Sequence, residues 1–433
     1  MKQKKVLVHG SIESLKEFLQ SPFNAEYYAL ALVSEDFEGI DIDSQNGGGQ
    51  WEFLTPSKLN KFAYELIDGI VLTDEQNRYT ALNYFINDGV EPRKIILWNN
   101  QGVPEFFNAR QKDGTEIVFM EGLQFHIRSQ EDSDFLNRIR GYLFSQKQFY
   151  AIPPSQYKTL IERQYRRPIN WENPKTFTEK IQWMKLYDST PIKTRLADKY
   201  LVRQWVAEKI GAEYLIPLLG VWDNFDDIDF DLLPEQFVLK CNHGSAMNII
   251  VRDKKTFNIE NAREKINAWL AIDFGAFLCE LHYNNIKKKI IAEKFLTDGK
   301  NLDLTDYKFM CFNGKPEYCL FYSDRSTDCR LDYFDMDWKL TNFESSEHRN
   351  SDHPEKILQP ENFELMKKLA AELCKDFAHV RVDFYEVEGK VYFGEMTFTP
   401  AAGLVTFKPA GTNEYLGSLL TLPAPTEFKQ LSR

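Results

Sequence analysis

The sequence predicts a Rossmann-like α/β domain at the N-terminus, followed by an α+β domain built on antiparallel sheets. Three observations carry this. Over residues 1–100, short apolar runs alternate with amphipathic ones, the pattern of strand and helix in turn. From about 131 to 210 the apolar residues recur three and four apart, a helical period. From about 214 onward strand, loop and helix follow one another, and an apolar hairpin near 380–400 carries two acids. With 433 residues, two or three domains are expected. We divide the chain into 1–130, a helical linker and lead-in at 131–210, and a second domain at 211–425.

In the first domain Lys5–His9, Tyr28–Val33, Gly69–Leu72 and Lys94–Trp98 read as short buried strands, with helices at Ile12–Leu19, Pro56–Leu66 and Asn77–Asn87. Strands separated by helices pair in parallel through right-handed crossovers, and ligands bind at the mouth of such a sheet. Only Gly10 follows the first strand, so the G-x-G-x-x-G pyrophosphate loop is missing. The NGGG at 46–49 lies in a polar stretch and reads as flexible linker. This favours a docking or scaffolding role for the domain over a nucleotide-sugar one.

The stretch TEIVFMEGLQFHI, 115–127, predicts a hairpin turning at Glu121-Gly122. Helices are expected over Asp134–Tyr142, Pro154–Arg163 and Thr178–Tyr187, the last opened by Thr176–Glu179, TFTE, with capping-box spacing. Further on, PEQFVLKCNHGSAMNIIVRD, KKIIAEKFL and DYKFMCFNGKPEYCLFYSD read as strands, with helices near Ile259–Ala271 and Glu361–Phe377.

Composition narrows the function. Hydrophobic residues make up 43% and aromatics 14%, enough for folded cores, and 27% charged residues argue against disorder. A net charge of −11 and a pI near 5.3 oppose a nucleic-acid or anionic-membrane surface. The six cysteines form no C-x-x-C pair, so neither a zinc site nor a disulfide framework is expected. The apolar run after Met1-Lys-Gln-Lys-Lys is too short for a signal peptide, and no segment reaches the ~18 apolar residues of a membrane span. A cytoplasmic protein is expected.

Two stretches point to chemistry. In FVLKCNHGSAMNIIV, 237–251, a strand ends in Lys240 and a loop of small residues, Gly244-Ser245-Ala246, leads to a return strand. Such a loop lets backbone N–H groups approach phosphate oxygens while the lysine supplies counter-charge. It is not a Walker A loop, and taken alone it reads more simply as a hairpin with an exposed lysine. His243 there reads as a hydrogen-bonding loop residue.

The second stretch is VRVDFYEVEGKVYFGEMTFTP, 380–400. A two-residue turn would point Asp383 and Glu395 to opposite faces. A three-residue loop, Val387-Glu388-Gly389 with Gly389 left-handed, sets odd against odd. The apolar pattern favours the second: Val380, Val382 and Phe384 against Tyr392, Met396 and Phe398 make a core side, apart from Glu386. Arg381, Asp383, Glu395 and Thr397 then share the polar side. Two carboxylates ~4–5 Å apart repel each other in a partly buried site. A Mg²⁺ ion, which binds one or two carboxylates and fills its shell with water and phosphate, reverses that sign. The alternative is a surface salt-bridge ladder through Arg381.

The order of Lys199 (ADKYLVR), Lys240 (FVLKCNHGSA), Glu293 (IIAEKFL), Asp306 (TDYKF), Asp383 (RVDFY) and Glu395 (FGEMTF) resembles the ATP-grasp fold, most closely its TupA-like, teichuronopeptide-biosynthesis branch. PINWENPKTFTEKIQWMKLYD, LIPLLGVWD and DYKFMCFNGKPEY fit the same branch. The resemblance covers roughly 155–420. It implies that Lys199 and Lys240 hold ATP phosphates under a lid of Gly244, Ser245 and Ala246. By the same resemblance Glu293, Lys294, Phe295 and Leu296 line the adenine slot, and Asp306 binds the ribose. Asp383 and Glu395 bind magnesium, and Arg381 steadies charge developing in the reaction. Many ATP-grasp enzymes place Asn two residues after the second acid, where this chain has Thr397, a weaker oxygen donor for a second magnesium. The PAAG at 400–403 resembles the family's turn toward the acceptor.

The implied reaction is ATP-dependent amide formation through an acyl phosphate. By resemblance the carboxylate belongs to a uronic acid of a capsular or other surface polysaccharide, or its nucleotide-sugar precursor. The amine is an amino acid or other small amine. Arg325 and Arg330, in DRSTDCR, are candidates for gripping an acidic substrate or the γ-phosphate. A sugar kinase on the same scaffold and a glycosyltransferase are the competing classes.

Overall fold

The computed structural model describes residues 4–20, 27–33, 52–54, 69–73, 81, 85, 95–97, 107–110, 116–120, 123–151, 153–297, 304–323 and 328–426. The chain forms two compact units, Met1–Arg138 and Ile139–Arg433.

In the first unit, strands β1 (Lys4–His9), β2 (Tyr27–Val33), β3 (Glu52–Leu54), β4 (Gly69–Leu72) and β5 (Ile95–Leu97) pair in parallel in the order β3-β2-β1-β4-β5. Val6, Leu7 and Val8 of β1 and Ile70, Val71 and Leu72 of β4 are fully buried. That is why these strands read as unbroken apolar runs and do not alternate. The helix Ile12–Gln20 turns Leu15 and Phe18 inward. Strands β6 (Phe107–Arg110), β7 (Glu116–Met120) and β8 (Leu123–Ile127) form a separate antiparallel sheet, Met120 pairing with Leu123 across the expected hairpin. The three- and four-residue strands β3 and β6 are too short to leave a pattern in the sequence. The expected helix Pro56–Leu66 and the NGGG stretch lie outside the described residues. Of Asn77–Asn87 only Ala81 and Phe85 are described, both helical and buried.

The second unit opens on helices. The expected helices Asp134–Tyr142 and Pro154–Arg163 lie within or overlap the longer Gln130–Ala151 and Tyr157–Tyr165. Phe177–Tyr187 starts on a complete capping box, Thr176 accepting from the Glu179 N–H while the Glu179 side chain accepts from Thr176 N. Two antiparallel sheets follow. The smaller has the order β11-β10-β12-β9, from β9 (Leu218–Trp222), β10 (Phe237–Cys241), β11 (Asn248–Val251) and β12 (Ile290–Lys294). The larger has the order β15-β14-β13-β17-β18, from β13 (Asp306–Phe312), β14 (Lys315–Ser323), β15 (Arg330–Asp335), β17 (His379–Val387) and β18 (Lys390–Thr397). A two-residue strand β16 (Glu344–Ser345) pairs with β19 (Phe407–Lys408).

The larger sheet is covered on both faces, so all seven residues of β13 are buried. Helix Phe363–Cys374 packs Phe363, Met366, Ala370 and Leu373 against Phe309, Val380, Val382 and Phe384. Helix Phe177–Tyr187 packs Phe177, Ile181 and Met184 against Met310, Phe312, Tyr318 and Leu320 on the other face. That second helix covers one half of its face. Asp306 and Lys308 of β13, Tyr322 of β14, and Arg381 and Asp383 of β17 occupy the other half, which is where a cavity opens.

Candidate active site

The acidic hairpin differs from expectation in its turn and agrees in its faces. The loop has two residues, Glu388 and Gly389, both with positive φ (53° and 73°), and Val387 pairs with Lys390. A primed two-residue turn of that kind would leave Asp383 and Glu395 on opposite faces. A β-bulge corrects the parity: the register slips between Val382 and Phe384, so Phe384 opposes Phe393 while Val382 opposes Met396 and Arg381 opposes Thr397. Gly394 sits at the slip, where a Cβ would lie 3.1 Å from the Asp383 carbonyl oxygen and 3.2 Å from the Tyr385 ring. The bulge also revises the core side. Val391 and Phe393 join Val380, Val382, Phe384, Met396 and Phe398 there, whereas Tyr392 packs with Tyr385 beside a smaller cluster.

Arg381, Asp383, Glu395 and Thr397 do share one face. The Arg381 guanidinium donates from Nε and Nη2 to the two oxygens of Asp383, both at 2.8 Å. The same Nη2 reaches Glu395 Oε1 at 3.0 Å and Thr397 Oγ1 at 3.2 Å. Lys308 Nζ lies 3.1 Å from Asp383 Oδ2, and Lys199 Nζ lies 3.8 Å from Glu395 Oε2. Lys308 had no role in the sequence reading, though DYKF sets it two residues from Asp306 on the same strand face. Burial alone would raise the Glu395 carboxyl, but Lys199, Arg381 and Lys308 outweigh it and hold the group down to about 2. The folded value lies below the ordinary one, so this contribution to stability is complete above about pH 5 and fades as pH falls toward 2. Melting curves between pH 2 and 6 should accordingly show a smaller acid-induced loss for Glu395→Gln than for the native chain.

The opposite wall comes from the smaller sheet. Lys240 Nζ lies 2.6 Å from Glu293 Oε2, and Arg203 donates to the other Glu293 oxygen at 2.9 Å. The loop after Lys240 is fixed from below. Lys199 donates to the Gly244 carbonyl at 2.5 Å, and buried Asn242 bonds the backbone of Lys287 and Lys289. Gly244 is buried, while Ser245 and Ala246 are exposed and border the cavity. His243 sits under the loop against the Trp269 carbonyl, and burial lowers it to about 3, so it is a neutral structural imidazole.

These walls enclose a cavity of about 720 Å³ lined by Lys199, Lys240, Glu293, Asp306, Arg381, Asp383, Glu395 and Thr397 among others. Three expected adenine-slot residues do not line it: Lys294 is exposed, Phe295 lies under Arg252 with 5.3 Å from guanidinium to ring, and Leu296 packs with Ile216 and Val387. Arg330 does not line it either. Its guanidinium holds Asp328 at 2.7 Å, Asp352 at 3.3 Å and the Asn350 carbonyl at 3.2 Å, tying a surface loop to β15. The same loop brings Glu347 and His348 to the cavity edge, with Glu347 accepting from Tyr322 at 2.8 Å. Arg325 lies outside the described residues.

Among the described residues no three His, Cys, Asp or Glu side chains converge to hold a metal by themselves. The donor set here is two carboxylates and a hydroxyl, hard oxygen atoms suited to Mg²⁺ completed by phosphate and water and unsuited to a closed zinc site. Thr397 fits least, because its hydroxyl donates to Glu395 Oε1 at 3.1 Å and accepts from Arg381. Five of the six cysteines are buried, and burial pushes the Cys241 and Cys279 thiols up to about 12, leaving them as packing groups. Among the described residues no helix is long and apolar enough to cross a membrane.

The family model for TupA-like ATP-grasp proteins matches residues 179–421. No curated protein sequence matches the chain. Among solved structures, the chain is similar to the ATP-grasp ligase PsnB complexed with a minimal precursor, at 8% identity over 48% of this chain and 54% of that one, with a TM-score of 0.29. D-Alanine–D-alanine ligase from Helicobacter pylori matches at 16% identity over 52% and 59%, with a TM-score of 0.29. N5-carboxyaminoimidazole synthetase from Staphylococcus aureus, complexed with ADP, matches at 12% identity over 98% and 80%, also with a TM-score of 0.29. The match thus spans little more than half the length of the first two.

Proposed function

This chain belongs to the TupA-like ATP-grasp family, and from that premise we propose that it is an ATP-dependent carboxylate–amine ligase working in surface-polysaccharide biosynthesis. The observation that carries the reading is the single cavity in which Lys199 and Lys240 face the Asp383–Glu395 pair. A triphosphate needs cations along its length and a metal at its reactive end; this cavity has lysines for the first and two carboxylates that would hold the second.

Magnesium, when bound, would draw negative charge off the phosphates at the Asp383–Glu395 end. The protein's own groups supply position and charge. Lys199 and Lys240 would grip phosphate oxygens, Lys240 exchanging its Glu293 contact for one of them. Asp306, at the head of β13, would take the ribose hydroxyls. Arg381 lies between the two acids and would steady charge on the transferred phosphoryl group. A carboxylate resists amine attack because resonance and charge shield its carbon. Phosphorylation makes an acyl phosphate, and the amine then forms the C–N bond as the C–O bond to phosphate breaks. No nucleophilic side chain is required.

For substrates we propose a uronic acid, free or within a saccharide or nucleotide sugar, and a small amine. The N-terminal unit, read as Rossmann-like, would dock the saccharide or a partner. An ADP-release screen crossing uronic acids with amines tests this. Release that needs both partners is expected. Release with a hydroxyl sugar alone would make the protein a kinase, and UDP release from a nucleotide sugar a glycosyltransferase.

A further inference from the structure

Part of the cavity wall differs in its chemistry from the rest. It is built from Phe274, Leu278, Tyr283, Ala401 and Ala402, and it carries one acid, Glu280. Glu280 is 6% exposed and its Oε1 accepts from Thr399 Oγ1 at 2.5 Å. Thr399 lies four residues beyond Glu395, past the end of β18 at Thr397. Tyr283 lines the cavity as well. Burial, then the charges of Glu280 and Glu395, push its phenol well above the ordinary value.

This part of the wall is held rigidly. Ala401 and Ala402 both have left-handed backbones (φ 45° and 52°), a conformation that persists only where the surroundings enforce it. The enforcing group is Gln182, which donates to the carbonyls of Ala402 at 3.0 Å and Gly403 at 2.7 Å. Gly403 has φ 65°, and a Cβ there would lie 2.6 Å from the Gln182 amide nitrogen. One turn further along the same helix, Lys185 is fully buried and its Nζ has no hydrogen-bond partner. Burial pushes the Glu280 carboxyl up, and the charge of Lys185 and the Thr399 hydrogen bond oppose it.

We propose that Glu280, set by Thr399, is the subsite for a primary ammonium group, and that it takes a simple amine or amino alcohol in preference to an α-amino acid. A carboxylate in an apolar wall is costly where its compensation is incomplete: Thr399 hydrogen-bonds Glu280, while Lys185, whose charge acts on it, makes no hydrogen bond to it. The preference follows from the missing counter-charge. No lining residue of this wall is a cation, Lys185 being fully buried and outside the lining, and the lining cations are taken up elsewhere: Lys199 and Lys240 by phosphate in the proposed reading, Lys308 by Asp383 and Arg381 by both acids. An amino acid's carboxylate would be buried unpaired.

The inference rests on the ligase reading for the role of its ligand, but its test does not. Saturation-transfer NMR would use the full-length protein with AMPPNP and Mg²⁺, and ethanolamine, ethylene glycol and L-alanine as probes. Saturation should pass to ethanolamine, not to ethylene glycol, and at least about 10-fold more weakly to alanine. Glu280→Gln should weaken ethanolamine about 10- to 100-fold with the nucleotide signals unchanged. Thr399→Val should weaken it by a smaller factor and serves if the first variant loses its nucleotide signals. No transfer to ethanolamine, equal transfer to ethylene glycol or alanine, or unchanged affinity in both variants would overturn the subsite. Ethanolamine bound through Glu280 with no carboxylate supporting ADP release would remove the ligase reading and leave the subsite standing.

Discussion

Asp383→Asn is expected to cut ADP formation by about 1,000-fold or more while leaving a folded protein, and Glu395→Gln to do the same. Each change keeps the shape and removes the charge that a metal needs. Asp383 is the more buried, at 2% exposure, and it sits between Arg381 and Lys308. Asn can still accept one hydrogen bond from Arg381, and Glu395 remains as that arginine's partner. The stability loss should therefore stay within about 1–3 kcal/mol. Initial rates of ADP release in saturating Mg²⁺, read beside melting temperatures, separate the two effects. Native turnover in either variant would remove both acids from the site.

Arg381→Ala should produce the largest stability loss of any single change at the site. Arg381 is 7% exposed, and its guanidinium makes the two 2.8 Å bonds to Asp383 and the 3.0 Å bond to Glu395. Its removal leaves two carboxylates on one sheet face with Lys308 and Lys199 as their remaining counter-charges. Breaking a buried pair of this kind costs about 3–5 kcal/mol, a fall in Tm on the order of 10 °C. If these acids are metal ligands, Mg²⁺ with AMPPNP should raise the Tm of the variant by more than it raises that of the native chain, because the metal replaces the missing positive charge. A variant as stable as the native protein would contradict the geometry. One whose Tm ignores Mg²⁺ and nucleotide would contradict the metal assignment.

The sequence made some of this legible. The capping box at Thr176–Glu179, the helix Ile259–Ala271 and the polar face of the final hairpin all depend on local spacing, and local spacing is what a sequence displays. The hairpin reached the expected face by an unexpected route. The parity comes from a bulge and not from the turn, and an isolated glycine inside a strand, Gly394, is the mark of a bulge. Lys308 is hard to see for a related reason: one lysine in an otherwise apolar strand has the signature of an exposed residue, and only the covering of both sheet faces makes it a buried one. Glu280 and Gln182 have roles that no local spacing marks. They meet Thr399, Ala402 and Gly403 across more than a hundred residues of chain, and no pattern of spacing links them. Arg330 shows the opposite error. An arginine in a polar run has the same sequence signature whether it grips a substrate or ties down its own loop.

On the proposed reading, Asp383 and Glu395 hold the metal of a nucleotide bound in the cavity. A crystal structure with AMPPNP and Mg²⁺ tests it most directly. The expected result is a metal ion about 2.1 Å from an oxygen of Asp383 and of Glu395, with Arg381 and Lys308 drawn back from those atoms and the triphosphate lying between Lys199 and Lys240. A nucleotide bound in another cleft, or a metal that touches neither acid, would contradict it.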